Sequence, residues 1–242
     1  MRIFYDLIIL LYRIGVKLAS FRSEKARAFI EGRKNWKEQF KNDLIDNRRR
    51  VWVHVASLGE YEQALPVLDL VHSQMPEHEI VITFFSPSGY ENAKLPDYIK
   101  KTFYLPFDTS SNAKFFLDIV NPDLILFVKY DIWYHYLMEA NKRKIPAVLF
   151  SALFRKSQIY FKIYGSLFRR ALRAFDLIFV QNRESQILLR DIDLKSEITG
   201  DTRFDRVKSR MENNTIHPII NKFSSGKDIL VIGSSWMDDL ER

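Results

Sequence analysis

The chain has 242 residues, 47% of them hydrophobic and 28% charged, enough to bury a sizeable core in one or two domains and too apolar for wholesale disorder. It has no cysteine, which excludes disulfides, thiolate metal sites and a cysteine nucleophile. Its net charge of +7 attracts phosphates. No zinc-finger, RNA-recognition or helix-turn-helix signature accompanies that charge, so lipid or substrate phosphates are favoured and nucleic acid is not expected as a partner.

The chain opens with MRIFYDLIILLYRIGVKLASF, an apolar helical stretch interrupted by Asp6, Arg13 and Lys17. A spanning helix wants about 20 mostly apolar residues with few charges, so residues 1–21 are expected to lie in the membrane interface rather than cross it. Arg22, Lys25, Arg27, Arg33, Lys34 and Lys37 follow at once, and such a basic flank suits an anionic leaflet. The plainer alternative is an amphipathic helix packed on its own domain. Apolar residues cover more than one face of the stretch, which favours the membrane.

From residue 51 the pattern alternates. Strands are expected at Val51–Ala56, Ile80–Phe85, Thr102–Leu105, Leu124–Val128, Ala147–Phe150, Leu177–Val180 and Glu197–Thr199. Most are continuous apolar runs, as in strands buried on both faces. Helices are expected between them at Tyr61–Ser73, Tyr90–Ala93, Asn112–Val120, Trp133–Arg143, Gln158–Ala174 and Glu184–Arg190. This alternation predicts an α/β fold, a Rossmann-like parallel sheet flanked by helices, with ligands bound beyond the carboxyl ends of the strands. The polar stretch 213–228 reads as a linker. Ile229–Ile232, followed by Gly233-Ser234-Ser235-Trp236, reads as the first strand of a second domain over 229–242 whose remainder is absent.

Chemistry is expected at the strand ends. The first strand delivers Ser57, Gly59 and Glu60. Gly59 permits a tight turn or the close approach of a ligand. Glu60, near a helix N-terminus, is either a capping acid or a general base in the cleft. After the second strand, Ser86, Ser88 and Gly89 precede a helix and either cap it or gather donors around an anion. Lys129 and Asp131 follow the fourth strand, as a salt bridge or as ligands of an anionic sugar. Cations and aromatics interleave over residues 155–173, as on a lipid-facing helix or a solvated basic face. After the seventh strand, Arg203 offers a fork for phosphate or carboxylate.

Taken together, HVASLGE, TFFSPSGYE, YLPFD, NPDLILFVKYDIW, FVQN and GDTRFDRV, in that order and spacing, resemble the 3-deoxy-D-manno-octulosonic acid (Kdo) transferases of lipopolysaccharide synthesis. The wording is similar to the branch found in Bacteroidetes-type bacteria. The resemblance spans nearly the whole chain. It implies the N-terminal, acceptor-binding half (residues 22–212) of a two-domain GT-B glycosyltransferase that uses no cofactor and no metal. The lipid A precursor would be the acceptor, and CMP-Kdo would be the donor held by the second domain. Inversion at the sugar's anomeric carbon and a place on the cytoplasmic face of the bacterial inner membrane are implied too. Residue by residue, Glu60 matches the family's proton acceptor. Arg203 stands where a lysine usually supports the transition state. At the pair of acids, Lys129 replaces the first and Asp131 keeps the second. Ser57, Gly59, Ser86, Ser88, Gly89 and Lys129 would face the acceptor. Two alternatives stay open: a non-catalytic membrane-associated module that binds an acidic lipid, or another GT-B glycosyltransferase.

Overall fold

A computed structural model describes residues 2–46, 48–212, 222–224, 226 and 229–230. The expected linker and the strand from Ile229 lie largely outside them. The chain divides into two compact units, 1–206 and 207–242, and the first carries the sheet.

Three helices come first: α1 (Arg2–Ala19), α2 (Glu24–Glu31) and α3 (Trp36–Leu44). Alternation then begins with β1 (Arg49–Val55), α4 (Leu58–Gln74), β2 (His78–Phe84), α5 (Pro87–Asn92), β3 (Lys101–Tyr104), α6 (Ser110–Val120) and β4 (Leu124–Val128). It continues through α7 (Tyr134–Lys142), β5 (Ala147–Ala152), α8 (Ser166–Leu172), β6 (Leu177–Val180), α9 (Arg183–Arg190), β7 (Glu197–Ile198) and α10 (Arg203–Glu212). All pairings are parallel, in the order β3-β2-β1-β4-β5-β6-β7. The expected Rossmann-like sheet is therefore present, and each expected strand is found within two residues of its place.

Period-two alternation sorts each strand between two cores. Trp52, Val81, Ile125, Phe127 and Leu149 join Phe116, Leu117, Tyr136 and Leu172 of α6, α7 and α8 on one face. Val51, Val53, Val55, Ile80, Ile82 and Phe84 join Tyr61, Ala64, Leu65 and Leu68 of α4 on the other. Burial on both faces is why these strands read as unbroken apolar runs.

Two expectations need correction. Residues 158–174 do not form one helix. A 3-10 turn at Ile159–Phe161 is followed by a break before α8. At Gly165 an added Cβ would fall 1.9 Å from the Ile159 carbonyl oxygen, so the chain folds back too closely for a helix to continue. Arg169 stabilises the break by donating to the carbonyls of Tyr160 and Lys162. The basic residues after α1 are also not uniformly outward. Arg33 is 7% exposed. Its guanidinium donates to the carbonyls of Phe29, Phe85 and Leu105 and lies 3.7 Å from the Phe29 ring centre. Burial pulls it down to about 10.

Helix α1 packs on this unit by one edge. Tyr5 and Ile9 are buried, and the Tyr5 hydroxyl donates to Asp108 at 2.5 Å. Asp108 also accepts from the backbone N–H groups of His135 and Tyr136, and so caps α7 from a distance. Asp6 Oδ1 lies 2.6 Å from His135 Nε2. The rest of the helix is apolar and open: Ile3 is 84% exposed, Leu11 57% and Leu18 64%, with Phe4, Leu7, Ile8 and Ile14 also exposed. Among the described residues no helix is long and apolar enough to cross a membrane.

Candidate functional site

The strand order reverses between β1 and β4: from β1 the chain steps outward to β2 and β3, then returns to β4 on its other side. In open parallel sheets this reversal leaves a crevice at the carboxyl ends of the strands, where ligands bind. Glu60 enters it from the residues after β1, and Asp131 from those after β4.

Glu60 sits in the first turn of α4. Ser57 is the N-cap, and its hydroxyl accepts the Glu60 N–H at 3.4 Å. Glu60 Oε2 reaches back and accepts the Ala56 N–H at 2.6 Å. This is close to a capping box, one residue early. Oε1 has no hydrogen-bond partner among the described residues and is not sealed from solvent. Burial lifts the Glu60 carboxyl above the usual range, and the nearby Asp131 charge lifts it further. The Ala56 N–H, His54 and Lys129 oppose that rise. One Glu60 oxygen thus meets the capping reading, and the other, on a carboxyl with raised proton affinity, is left without a hydrogen-bond partner among the described residues.

Asp131 is arranged in the same way. Its Oδ2 lies 2.8 Å from His54 Nε2 and accepts the Trp133 indole N–H at 3.0 Å. Oδ1 has no hydrogen-bond partner among the described residues, and the side chain is 24% exposed. Lys129, held with φ at 62°, donates its N–H to the Phe150 carbonyl at the turn out of β4. It makes no ion pair with Asp131; its charge is felt at Glu60.

Of the serines after β2, Ser86 is the N-cap of α5 and Ser88 lies in its first turn. Ser86 Oγ accepts the Gly89 N–H at 3.1 Å and lies 3.2 Å from Ser88 Oγ. The donors expected to gather around an anion are partly used inside α5. Gly89 is a packing glycine: an added Cβ would lie 3.1 Å from both Leu58 N and Ser57 C, the backbone that starts α4. Gly59 needs no special backbone. It is helical, without positive φ, so the tight turn allowed for it is not there. An added Cβ would meet only Ser57 Oγ, at 4.0 Å, so the space over this first turn is open.

Arg203 is not brought into this group. Its Nε and Nη2 donate to Asp201 Oδ2 at 2.8 and 2.5 Å. Burial works against ionisation of Asp201, but the Arg203 bonds prevail and its carboxyl lies below the usual range. Gln63 of α4 donates to Asp201 Oδ1 at 2.8 Å, which ties this turn to the helix that carries Glu60.

Residue-level reading missed His54, Thr83 and Trp52. The register pairs His54 directly with Thr83, and His54 Nδ1 lies 2.9 Å from Thr83 Oγ1. The Trp52 indole N–H donates to the same oxygen at 2.8 Å. The available signal was a polar residue near the end of each of two otherwise apolar strands.

Comparison with known proteins bears on the fold and the family. UDP-N-acetylglucosamine 2-epimerase from Neisseria meningitidis, bound to UDP-GlcNAc, superposes with a TM-score of 0.51 at 16% identity over 68% of this chain and 50% of that one. A putative UDP-N-acetylglucosamine 2-epimerase from Listeria monocytogenes gives 0.53 at 13% identity over 73% and 51%. At such identities the likeness shows the fold alone. In sequence, the 3-deoxy-D-manno-octulosonic acid transferase of Chlamydia trachomatis serovar D is 28% identical over 199 residues, 79% of this chain and 46% of that protein. That of Aquifex aeolicus is 31% identical over 150 residues, 60% and 37%. The chain thus spans about half the length of these relatives, or less. The pattern of the 3-deoxy-D-manno-octulosonic-acid transferase (kdotransferase) family matches residues 34–206, well over half of the chain, and the chain therefore belongs to that family, whose N-terminal domain it carries.

Proposed function

We propose that this chain presents the acceptor in a glycosyltransferase that moves Kdo from CMP-Kdo to the lipid A precursor, lipid IVA, without a metal. The observation that carries the reading is the pair of carboxylates at the β1/β4 reversal, each held by one oxygen and open at the other. An acceptor hydroxyl attacks the anomeric carbon of Kdo, Glu60 Oε1 takes its proton, and the bond to CMP breaks. Attack opposite the leaving group inverts the centre. A raised proton affinity suits a base working near neutral pH. Asp131 orients the acceptor, and its charge keeps Glu60 basic. Arg203, which lies outside the carboxylate pair and is held by Asp201 beside the helix that carries Glu60, would supply a cation toward the leaving phosphate. Ser57, Ser86, Ser88 and Lys129 contact the acceptor, and the open space over Gly59 admits it.

The acceptor is a lipid, and α1 suits one. Its unburied apolar residues would enter the acyl boundary of the inner membrane's cytoplasmic leaflet. A cavity of about 660 Å³ beside it, lined in part by Leu10, Ile14, Arg13, Lys17 and Lys34, combines apolar walls with cations. Acyl chains joined to phosphates need that combination. Tyr12 of α1 stacks on Phe85, and Phe85 packs on Trp133, whose indole meets Asp131, so the helix passes close to the crevice.

Two measurements test the proposal. Calorimetric titration of the 242-residue chain with lipid IVA in detergent micelles is expected to show saturable binding that weakens in Lys129→Ala. CMP titrated separately is expected to show none. Micromolar CMP binding, or no response to lipid IVA, would refute the assignment. Flotation with phosphatidylglycerol vesicles is expected to carry the whole chain upward, and to leave a form lacking residues 1–21 in the soluble fraction. Equal flotation of both would remove α1 from the reading.

A further inference from the structure

His54 is fully buried one residue before the end of β1, on the face where β1 otherwise offers Trp52 to the core. A histidine sealed in a core needs both ring nitrogens satisfied. Here both are, and the donors and acceptors around them fix where each proton goes.

The indole nitrogens can only donate. Trp52 Nε1–H therefore gives its hydrogen to Thr83 Oγ1, and Trp133 Nε1–H gives its hydrogen to Asp131 Oδ2. The Trp133 N–H is shared: it is also directed at His54 Nε2 at 3.0 Å, where a bare nitrogen would accept it. If Nε2 were bare, it would face the Asp131 carboxylate lone pairs at 2.8 Å with no hydrogen between them. Placing the proton on Nε2 turns that contact into a hydrogen bond. Nδ1 is then bare in the neutral ring, and the Thr83 hydroxyl hydrogen points to it over 2.9 Å. Every group in the row is satisfied: Trp52 to Thr83, Thr83 to His54, His54 to Asp131. In the imidazolium, Nδ1 would also donate to Thr83 Oγ1. The hydroxyl hydrogen would then lose its acceptor in the row, inside a fully buried site.

We infer that His54 is a positioning residue, a neutral imidazole protonated on Nε2 that holds the Asp131 carboxylate by one oxygen so that the other faces the acceptor crevice. It touches Asp131 and acts through it. The arrangement repeats a known logic, in which a buried partner fixes the orientation and tautomer of a working group. Its elements come from separate parts of the fold: His54 from β1, Thr83 from β2, and Asp131 and Trp133 from the turn after β4. Other ionisable groups that face this turn are Glu60 of α4, Lys129, Tyr5 and Tyr12 of α1, and Tyr160 after β5.

Nuclear magnetic resonance on the 242-residue chain tests this without any assay of transfer. With ring-¹⁵N histidine, His54 is expected to show a protonated Nε2 and a bare Nδ1. A proton on Nδ1 would overturn the inference. The second readout is solvent exchange of the Trp133 indole hydrogen, which reports how firmly Asp131 is held. His54→Leu is expected to speed it at least about tenfold beyond what the change in global stability gives core amides of β4. His54→Gln, which keeps an N–H donor near the place of Nε2, should restore slow exchange. Equal exchange in the unmodified chain and both variants would reduce His54 to a core polar residue. Should His54→Leu fail to fold, Thr83→Val serves: losing the hydroxyl removes the hydrogen bond to Nδ1 and is expected to shift its ¹⁵N resonance, and unchanged ¹⁵N shifts would overturn the row.

Discussion

The two glycines flanking the crevice should respond to alanine with opposite signs. At Gly59 an added Cβ meets nothing nearer than 4.0 Å, and the residue is already helical. Gly59→Ala gains helix propensity and restricts the unfolded chain, so it should stabilise the fold by about 0.5–1 kcal/mol. At Gly89 the same methyl meets Phe84 Cδ1 at 3.0 Å and two backbone atoms, Leu58 N and Ser57 C, at 3.1 Å. The ring can turn, but the backbone atoms cannot yield without moving the cap of α4. Overpacking of this kind costs about 1–3 kcal/mol, and the propensity gain in α5 offsets at most about 1. Net destabilisation of roughly 1–2 kcal/mol is expected, so the two variants should differ by roughly 1.5–3 kcal/mol. Urea unfolding of the whole chain, followed by tryptophan fluorescence, measures both. Gly89→Ala at or above the parent's stability would refute the packing argument, and Gly59→Ala below it would refute the open-space argument. A functional corollary separates the two sites further. Gly59→Ala should lose affinity for lipid IVA while gaining stability, because its methyl enters the space assigned to the acceptor.

Glu60→Gln should lower transfer by about 100-fold or more in an enzyme carrying both domains, and its stability effect has a definite sign. The Glu60 carboxyl is raised in the fold, so its contribution is fully present below the unfolded value of about 4.3 and is lost as pH rises through the folded one. The parent should therefore lose stability relative to Glu60→Gln as pH climbs from about 4 toward neutrality, and parallel curves would refute the raised value. Tyr5→Phe removes one donor from the fully buried Asp108 and should cost about 1–3 kcal/mol by urea unfolding. A change under about 0.5 kcal/mol would mean that α1 is not latched there. Arg33→Leu strips donors from three carbonyls at once and should cost at least about 3 kcal/mol, against near-neutrality if Arg33 served only a charged surface.

What the sequence revealed and what it hid divide along one physical line. Strand runs such as Leu124–Val128 are legible because burial on both faces writes itself into consecutive residues. Glu60 was legible as an acid at a strand mouth, yet the division of labour between its two oxygens was not: one is held by Ala56 and the other has no hydrogen-bond partner among the described residues. Which oxygen meets Ala56 depends on the path of the turn, not on residue type. Helices α2 and α3 escaped because each is short and strongly charged, with Phe29, Phe40 and Leu44 as their buried residues. Arg33 was misread for a related reason. An arginine in a basic run looks solvated until Phe29, Phe85, Tyr104 and Phe107 close around it. The His54 row shows the limit most clearly. His54 and Thr83 are 29 residues apart, and only the register of β1 on β2 sets them side by side. A slip of that register by one residue would turn Thr83 to the opposite core and leave Nδ1 without its donor. The crevice is thus specified by the sheet before it is specified by any motif. Glu60 and Asp131 come together because β1 and β4 are neighbours across the reversal, and each is aimed by a partner, Ala56 or His54, that the strand itself delivers.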